Sequence, residues 1–115
     1  MLKAGLVLGG PHLISNIFDL LDFAQPVAVA IEAYQYSVMF YAGGILSVKD
    51  CGEQLDHGLL AVGYGTDAKT KTKYWIVKNS WGITWGDRGY MLLERHHSSQ
   101  ISTCGIAKEA SYPVV

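Results

Sequence analysis

Long apolar runs, an excess of charge of one sign and clustered cysteines are all missing from this chain of 115 residues. No run approaches the roughly 18–20 apolar residues of a membrane-spanning helix, so no membrane partner is predicted. The net charge is −1, and the one local group of basic residues, Lys69, Lys71 and Lys73, is typical of a solvated hairpin loop. Nucleic-acid binding therefore has no electrostatic basis in this sequence.

The chain contains only two cysteines, Cys51 and Cys104. No CxxC motif supports a zinc site, and a single disulfide is the simpler interpretation. In the chain-entropy model such a bond stabilises the fold by roughly 4 kcal/mol, and it predicts an oxidising compartment. Residues 1–8 resemble a signal peptide only weakly, since Gly and Pro at 9–11 interrupt the apolar run. A predicted oxidising compartment conflicts with the lack of a clear signal peptide. This conflict predicts that the chain is not a complete natural precursor.

The residues that are present predict one mainly β domain. Half of them are hydrophobic, and 13 glycines are typical of strands joined by tight turns. A short helix is predicted at 15–23, and the segment 34–41 is ambiguous between helix and strand. Strands are predicted at 27–31, 59–64, 74–78, 89–95 and 111–115, the last near an edge because it contains Pro113. These elements indicate a twisted antiparallel sheet or small β-barrel with one or two short helices on its flank.

Two motifs carry chemistry, Leu55-Asp56-His57-Gly58 and Lys78-Asn79-Ser80-Trp81-Gly82. An imidazole needs a fixed orientation to take and return a proton, and an amide oxygen accepting from its ring N–H supplies one. An adjacent indole can shield that hydrogen bond from water. His57 and Asn79 thus supply two parts of a Cys/His/Asn arrangement, but neither cysteine stands where a nucleophile would.

In order and spacing these motifs resemble the papain-like cysteine proteases, of the cathepsin L type. The resemblance covers about residues 25–115 and extends toward the helix predicted near Ser15. The matching segments read QPVAVAI from 25, LDHG from 55, AVGYG from 61, YWIVKNSWG from 74, WG from 85, RGY from 88, CGIA from 104 and ASYP from 110. It implies that 15–115 form the C-terminal β-barrel lobe of an α+β fold, after a divergent segment at 1–14. It also implies a disulfide between Cys51 and Cys104.

The resemblance assigns a catalytic role to two side chains. It makes His57 the general base and Asn79 its orienting partner, with Trp81 as a cover and Trp85 on the leaving-group side of the cleft. Taken without the resemblance, a His beside Gly is an ordinary turn residue, an Asn-Ser pair is a turn, and the two Trp side chains simply pack together. Asp56 adjoins His57 in sequence, so the two side chains are expected to point apart.

The resemblance also implies a substrate-binding pocket lined by Ala30, Leu55 and Gly58, with Glu109 at its floor. A carboxylate there would admit Arg beside Leu or Phe, because it can pair with a guanidinium. The alternative is that Glu109 points to solvent. His96-His97 offers too few ligands for a metal site, so neither a metal nor a cofactor is predicted.

The resulting hypothesis is the His/Asn-bearing half of a cysteine endopeptidase. In the family, a helical lobe carries the nucleophilic Cys and the oxyanion Gln, so this chain alone is expected to be inactive. The partners implied are a peptide or protein substrate, that helical lobe and cystatin-like inhibitors, and the location implied is lysosome, vacuole or secretion. The alternative is a non-catalytic remnant, or a module that binds peptides or inhibitors without hydrolysis.

Overall fold

The computed structural model of the chain describes residues 6–8, 26–96, 103–106 and 110–112. Within these ranges seven strands form one sheet in the spatial order β1-β7-β2-β4-β5-β6-β3. The strands are β1 (Leu6–Leu8), β2 (Val27–Ile31), β3 (Ile45–Leu46), β4 (His57–Thr66), β5 (Lys73–Lys78), β6 (Tyr90–Glu94) and β7 (Ala110–Tyr112). A one-turn helix α1 (Tyr36–Met39) and two 3₁₀ turns (Val48–Asp50 and Thr103–Gly105) complete the described elements. The predicted mainly β architecture is confirmed.

Antiparallel pairing of β2 with β4 and of β4 with β5 builds the middle of the sheet. The register places Ile31, the last residue of β2, opposite His57, the first residue of β4. On the other side of β4, Leu60 lies opposite Lys78, the last residue of β5. The start of β4 and the end of β5 therefore lie at the same end of the sheet.

One face of the sheet forms the core. Burial alternates along β2, where Val27, Val29 and Ile31 are buried and the two alanines between them are partly exposed. The same alternation on the neighbouring strands buries Leu59, Ala61, Trp75, Val77, Met91 and Leu93. A slip of one residue would turn each buried side chain to the opposite face, so this pattern specifies the register strongly.

The structure extends and corrects the predicted elements. Strand β4 runs from His57 to Thr66 and is longer than predicted, and the ambiguous segment 34–41 contains α1. Two short strands were missed: β1, which pairs with β7, and β3, which pairs in parallel with β6 as the exception in an otherwise antiparallel set. Strand β7 is one strand in from the edge formed by β1. The helix predicted at 15–23 lies outside the described residues.

Cys51 and Cys104 form a disulfide, with 5.1 Å between their Cα atoms. The bond ties the segment that precedes β4 to the turn Thr103–Gly105, and both cysteines adjoin or belong to the hydrophobic core. In the part of the chain that the structure describes, no helix is long and apolar enough to cross a membrane.

Candidate catalytic site

His57 and Asn79 are in direct contact, with 2.7 Å between Nε2 of the imidazole and Oδ1 of the amide. An amide oxygen can only accept, so Nε2 carries the hydrogen and donates it. The backbone N–H of Ser80 donates to the same oxygen at 2.7 Å, which supports this orientation of the amide. In the neutral imidazole Nδ1 then lacks a hydrogen and is free to accept a proton.

The β4–β5 ladder brings these two residues together across the intervening hairpin. Asn79 directly follows β5, and its backbone N–H donates to the carbonyl of Gly89 at 2.9 Å. Its side chain is 5% exposed, and Nδ2 has no hydrogen-bond partner among the described residues. The imidazole is thus oriented by an amide that is itself buried and fixed at the end of a strand.

Aromatic rings cover the His57–Asn79 contact. The Trp81 ring lies 4.9 Å from the imidazole between centroids and is tilted by 30°. Trp85 packs edge-on against Trp81 at 5.4 Å. The indole therefore lies where it can keep water away from the hydrogen bond, as the motif predicts.

Trp85 is a buried support for Trp81. Its indole N–H donates to the carbonyl of Val38 at 3.0 Å, and its ring lies 5.8 Å from that of Tyr41. The Tyr41 hydroxyl donates to the carbonyl of Gly44 and accepts from the N–H of Leu92. Burial raises the pKa of Tyr41, and the negative charge of Asp87 adds to the effect. This packing matches the simpler interpretation of Trp85, and a role in the cleft stays a prediction.

Tyr34 is a third aromatic residue at the site, and it was missed in the sequence. Its ring lies 6.2 Å from the imidazole of His57 and 6.1 Å from Trp81, and the residue is 63% exposed. It belongs to the segment 34–41, which the sequence left ambiguous between helix and strand. Pairing the end of β2 with the start of β4 would have placed it beside His57.

The predicted pocket residues are partly brought together. Ala30 and Gly58 are opposite each other on β2 and β4, and therefore share the face that is turned away from the core. Leu55 lies two residues before β4 and is half-buried. Gly58 also lines a cavity of about 420 Å³ together with residues of β2, β4 and the end of β5, but Ala30 and Leu55 do not line it. Glu109 lies outside the described residues.

Asp56 lies next to His57 in sequence, and His96 and His97 are the histidines that the sequence analysis considered as metal ligands. Oδ1 of Asp56 accepts from the backbone N–H of Ala33 at 2.8 Å, so this carboxylate is engaged away from the His57–Asn79 bond. His96 lies 3.8 Å from Glu94, and His97 is outside the described residues. Among the residues that the structure does describe, no group of three His, Cys, Asp or Glu side chains could hold a metal ion.

The chain holds no free thiol, because both of its cysteines are in the disulfide. The arrangement can therefore accept a proton at Nδ1 of His57 and return it, and it can stabilise the imidazolium through Asn79. It cannot form a covalent thioester with cysteines of this chain. A nucleophilic thiol beside His57 would have to come from outside this chain.

Comparison with known proteins supports the resemblance. A model of the papain family of cysteine proteases matches residues 14–114. Cysteine endopeptidase RepA of Oryza sativa subsp. japonica is 56% identical over 91 residues, which are 78% of this chain and 24% of that protein. Vignain of Ricinus communis is 52% identical over 90 residues, again 78% of this chain and 24% of the relative. The chain thus spans about a quarter of these relatives.

Solved structures show the same fold. Digestive procathepsin L 3 of Tenebrio molitor larval midgut matches with a TM-score of 0.82 and 40% identity over 100% of this chain and 36% of the other. The bromelain protease of Ananas comosus, solved in complex with the inhibitor E64, matches with a TM-score of 0.76 and 38% identity. That match covers 90% of this chain and 46% of bromelain.

Proposed function

Because the chain belongs to the papain family of cysteine proteases, we propose that it supplies the general base and its orienting amide to a peptidase site. The observation that carries this proposal is the 2.7 Å contact between Nε2 of His57 and Oδ1 of Asn79. In this proposal the nucleophilic thiol and the oxyanion donor come from a helical lobe outside this chain, and the chain alone does not hydrolyse peptides.

His57 would relay two protons in each catalytic cycle, one from the thiol to the leaving amine and one from water back to the sulfur. Its Nδ1 takes the proton of the incoming thiol, which leaves a thiolate beside an imidazolium. The thiolate attacks the substrate carbonyl, and the C–N bond breaks as Nδ1 gives the proton to the leaving amine. His57 then takes a proton from a water molecule, which attacks the thioester carbonyl. The C–S bond breaks, the carboxyl product leaves and Nδ1 returns the proton to the sulfur. Asn79 keeps Nδ1 aimed at the reacting atoms throughout.

The outer face of the sheet supports packing against a second lobe. Leu60 and Val62 lie on β4 outside the core, with 39% and 38% of their surfaces exposed. The cavity of about 420 Å³ is on the same strands and is lined by Leu60. Exposed apolar side chains beside such a cavity are typical of a surface that another part of a protein covers.

Substrate selection would depend on the second side chain before the cut, received by Ala30, Leu55, Gly58 and Glu109. Glu109 would pair with an arginine in that pocket, while Leu or Phe would make apolar contacts. Glu109→Ala is expected to abolish cleavage of peptides that place Arg in this pocket and to spare cleavage of those that place Phe there. Kinetics on paired peptides that differ only there would measure this, and equal loss on both would contradict the assignment.

A second candidate function is a module that binds peptides, inhibitors or another protease without hydrolysis. The observation that favours it is that both cysteines of the chain are in the disulfide. In either case the disulfide supports an oxidising environment, and we propose a lysosomal, vacuolar or secreted location.

Replacement of His57 tests the proposed function. The chain is joined to the part of rice RepA that it does not match, and hydrolysis of a fluorogenic peptide is measured. His57→Ala is expected to lower kcat by about 10²–10⁴-fold, the usual contribution of a general acid–base group. The matched control is His96→Ala, which removes an imidazole that lies beside Glu94 and is expected to leave kcat within about twofold. Retention of activity by His57→Ala would reject the proposal.

A further inference from the structure

The carboxylate of Glu32 holds the chain segment that leads to the site. Glu32 directly follows β2, and its Oε2 accepts from the backbone N–H of Gly52 at 2.8 Å. Its Oε1 accepts from the backbone N–H of Gln54 at 3.2 Å. The side chain of Gln35 donates to Oε2 at 2.6 Å and fixes the carboxylate from its own side. One carboxylate thus accepts from two backbone N–H groups of the segment 52–54 and restrains it from the side of β2.

The opposite side of this segment is restrained by the turn Thr103–Gly105. The space beside Gly105 is so narrow that a Cβ there would come within 2.6 Å of Cδ2 of Leu55 and 3.3 Å of Cα of Glu53. The backbone N–H of Glu32 also donates to the carbonyl of Cys104 at 2.8 Å. Leu55 is therefore enclosed between a backbone turn and a stretch of chain that Glu32 fixes.

His57 is held by different contacts. The backbone N–H of Asp56 donates to the carbonyl of Ile31 at 3.0 Å, and Oδ1 of Asp56 accepts from Ala33. From His57 onward the β2–β4 ladder fixes the backbone, and Asn79 fixes the ring. Loss of the Glu32 carboxylate would thus loosen the chain at 52–55 on the side of β2 and leave the His57–Asn79 pair in place.

We propose that Glu32 is a positioning residue for the substrate pocket, because its carboxylate fixes Leu55 as one wall. This inference rests on the proposed function for its effect on catalysis. The wall is rigid when both backbone N–H groups are bound, and a rigid wall discriminates between a side chain that fills the pocket and one that does not. Without the carboxylate the wall moves and this discrimination falls, while proton transfer by His57 continues.

Amide hydrogen exchange tests the restraint in the chain itself. Glu32→Ala is expected to speed exchange at both Gly52 and Gln54 by about tenfold or more, because both N–H groups lose their acceptor. Glu32→Gln keeps one acceptor oxygen, so one of the two amides should stay protected. The matched control is Asp87→Asn, which removes one negative charge at an exposed position with a surface ion pair. Wild-type exchange rates at both amides in both Glu32 variants would overturn the proposal.

Peptidase kinetics test the consequence for specificity in the chain joined to the RepA segment. The probes are two fluorogenic peptides that differ only in having Phe or Ala in the Leu55 pocket. Glu32→Ala should lower the kcat/KM ratio of Phe to Ala by about fivefold or more through KM, with kcat for the Ala peptide kept within about twofold. Glu32→Gln should restore part of the ratio. Equal loss on both peptides would overturn the positioning role, whereas the proposed function fails only if His57→Ala is active.

Discussion

At the scale of single residues, the sequence predicted which side chains of the two motifs meet better than it predicted their surroundings. His57, Asn79 and Trp81 come together as the two motifs indicate, because the motifs flank adjacent strands. Tyr34 and Glu32 could not be singled out, since their contacts become visible only once the β2–β4 pairing is known. An isolated Tyr or Glu beyond a strand carries no local pattern that distinguishes it from a solvated residue.

Asn79→Ala is expected to free the imidazole without unfolding the sheet. The Nε2 proton of His57 should lose its slow exchange in NMR spectra, because its acceptor is gone. In the chain joined to the RepA segment, kcat should fall by about tenfold or more, since the ring is no longer held in the productive tautomer. Ser80→Ala keeps the backbone N–H that binds Asn79 and serves as the control. An unchanged Nε2 proton in Asn79→Ala would contradict the assigned orientation.

At the scale of elements, strands with clear alternation were predicted, whereas two of the three very short strands were missed. Strand β2 alternates buried and half-buried residues over its length, and in β5 and β6 every second residue is buried over most of the strand. Strands β1 and β3 contain three and two residues, which is too few for a period of two to be visible. The helix α1 makes a single turn, too short for helical periodicity to separate it from a strand.

Gly105→Ala is expected to destabilise the fold by about 1–3 kcal/mol, the usual cost of a left-handed non-glycine residue. Gly105 has a φ of 82°, and an added Cβ would meet Leu55 and Glu53 at close range. The control is Gly43→Ala, because no atom lies within 4 Å of a Cβ there. Urea unfolding of both variants measures the difference. Equal midpoints for the two would show that the turn does not press on the segment before β4.

At the scale of the whole molecule, the sequence indicated a lobe that needs a partner, and the outer face of the sheet is consistent with that. The family match and the fold follow from motif order, which a single sequence displays. The exposed positions of Leu60 and Val62 follow from the register of β4, including the irregularity between Ala61 and Gly63. A shift of this kind comes from three-dimensional pairing and is not visible as a motif.

The isolated chain is therefore expected to self-associate through this outer face. Analytical ultracentrifugation should show concentration-dependent oligomers, since the exposed apolar side chains gain from leaving water. Leu60→Lys with Val62→Lys should weaken association by about tenfold or more, equivalent to about 1.4 kcal/mol. Lys69→Glu with Lys71→Glu, on the distant hairpin loop, is the control for altered charge. If the chain stays monomeric over a wide concentration range, this result would contradict the interpretation of the outer face as a surface that packs against another lobe.

The central claim is that this chain is the His/Asn-bearing half of a peptidase site. The most direct measurement is the native and denatured intact mass of the endogenous protein, captured with an antibody to its C-terminal region. We expect a species larger than the chain's 12.6 kDa that carries a helical lobe with a free thiol, either fused or bound. A species of 12.6 kDa without any such partner would contradict the claim and would favour the binding module instead.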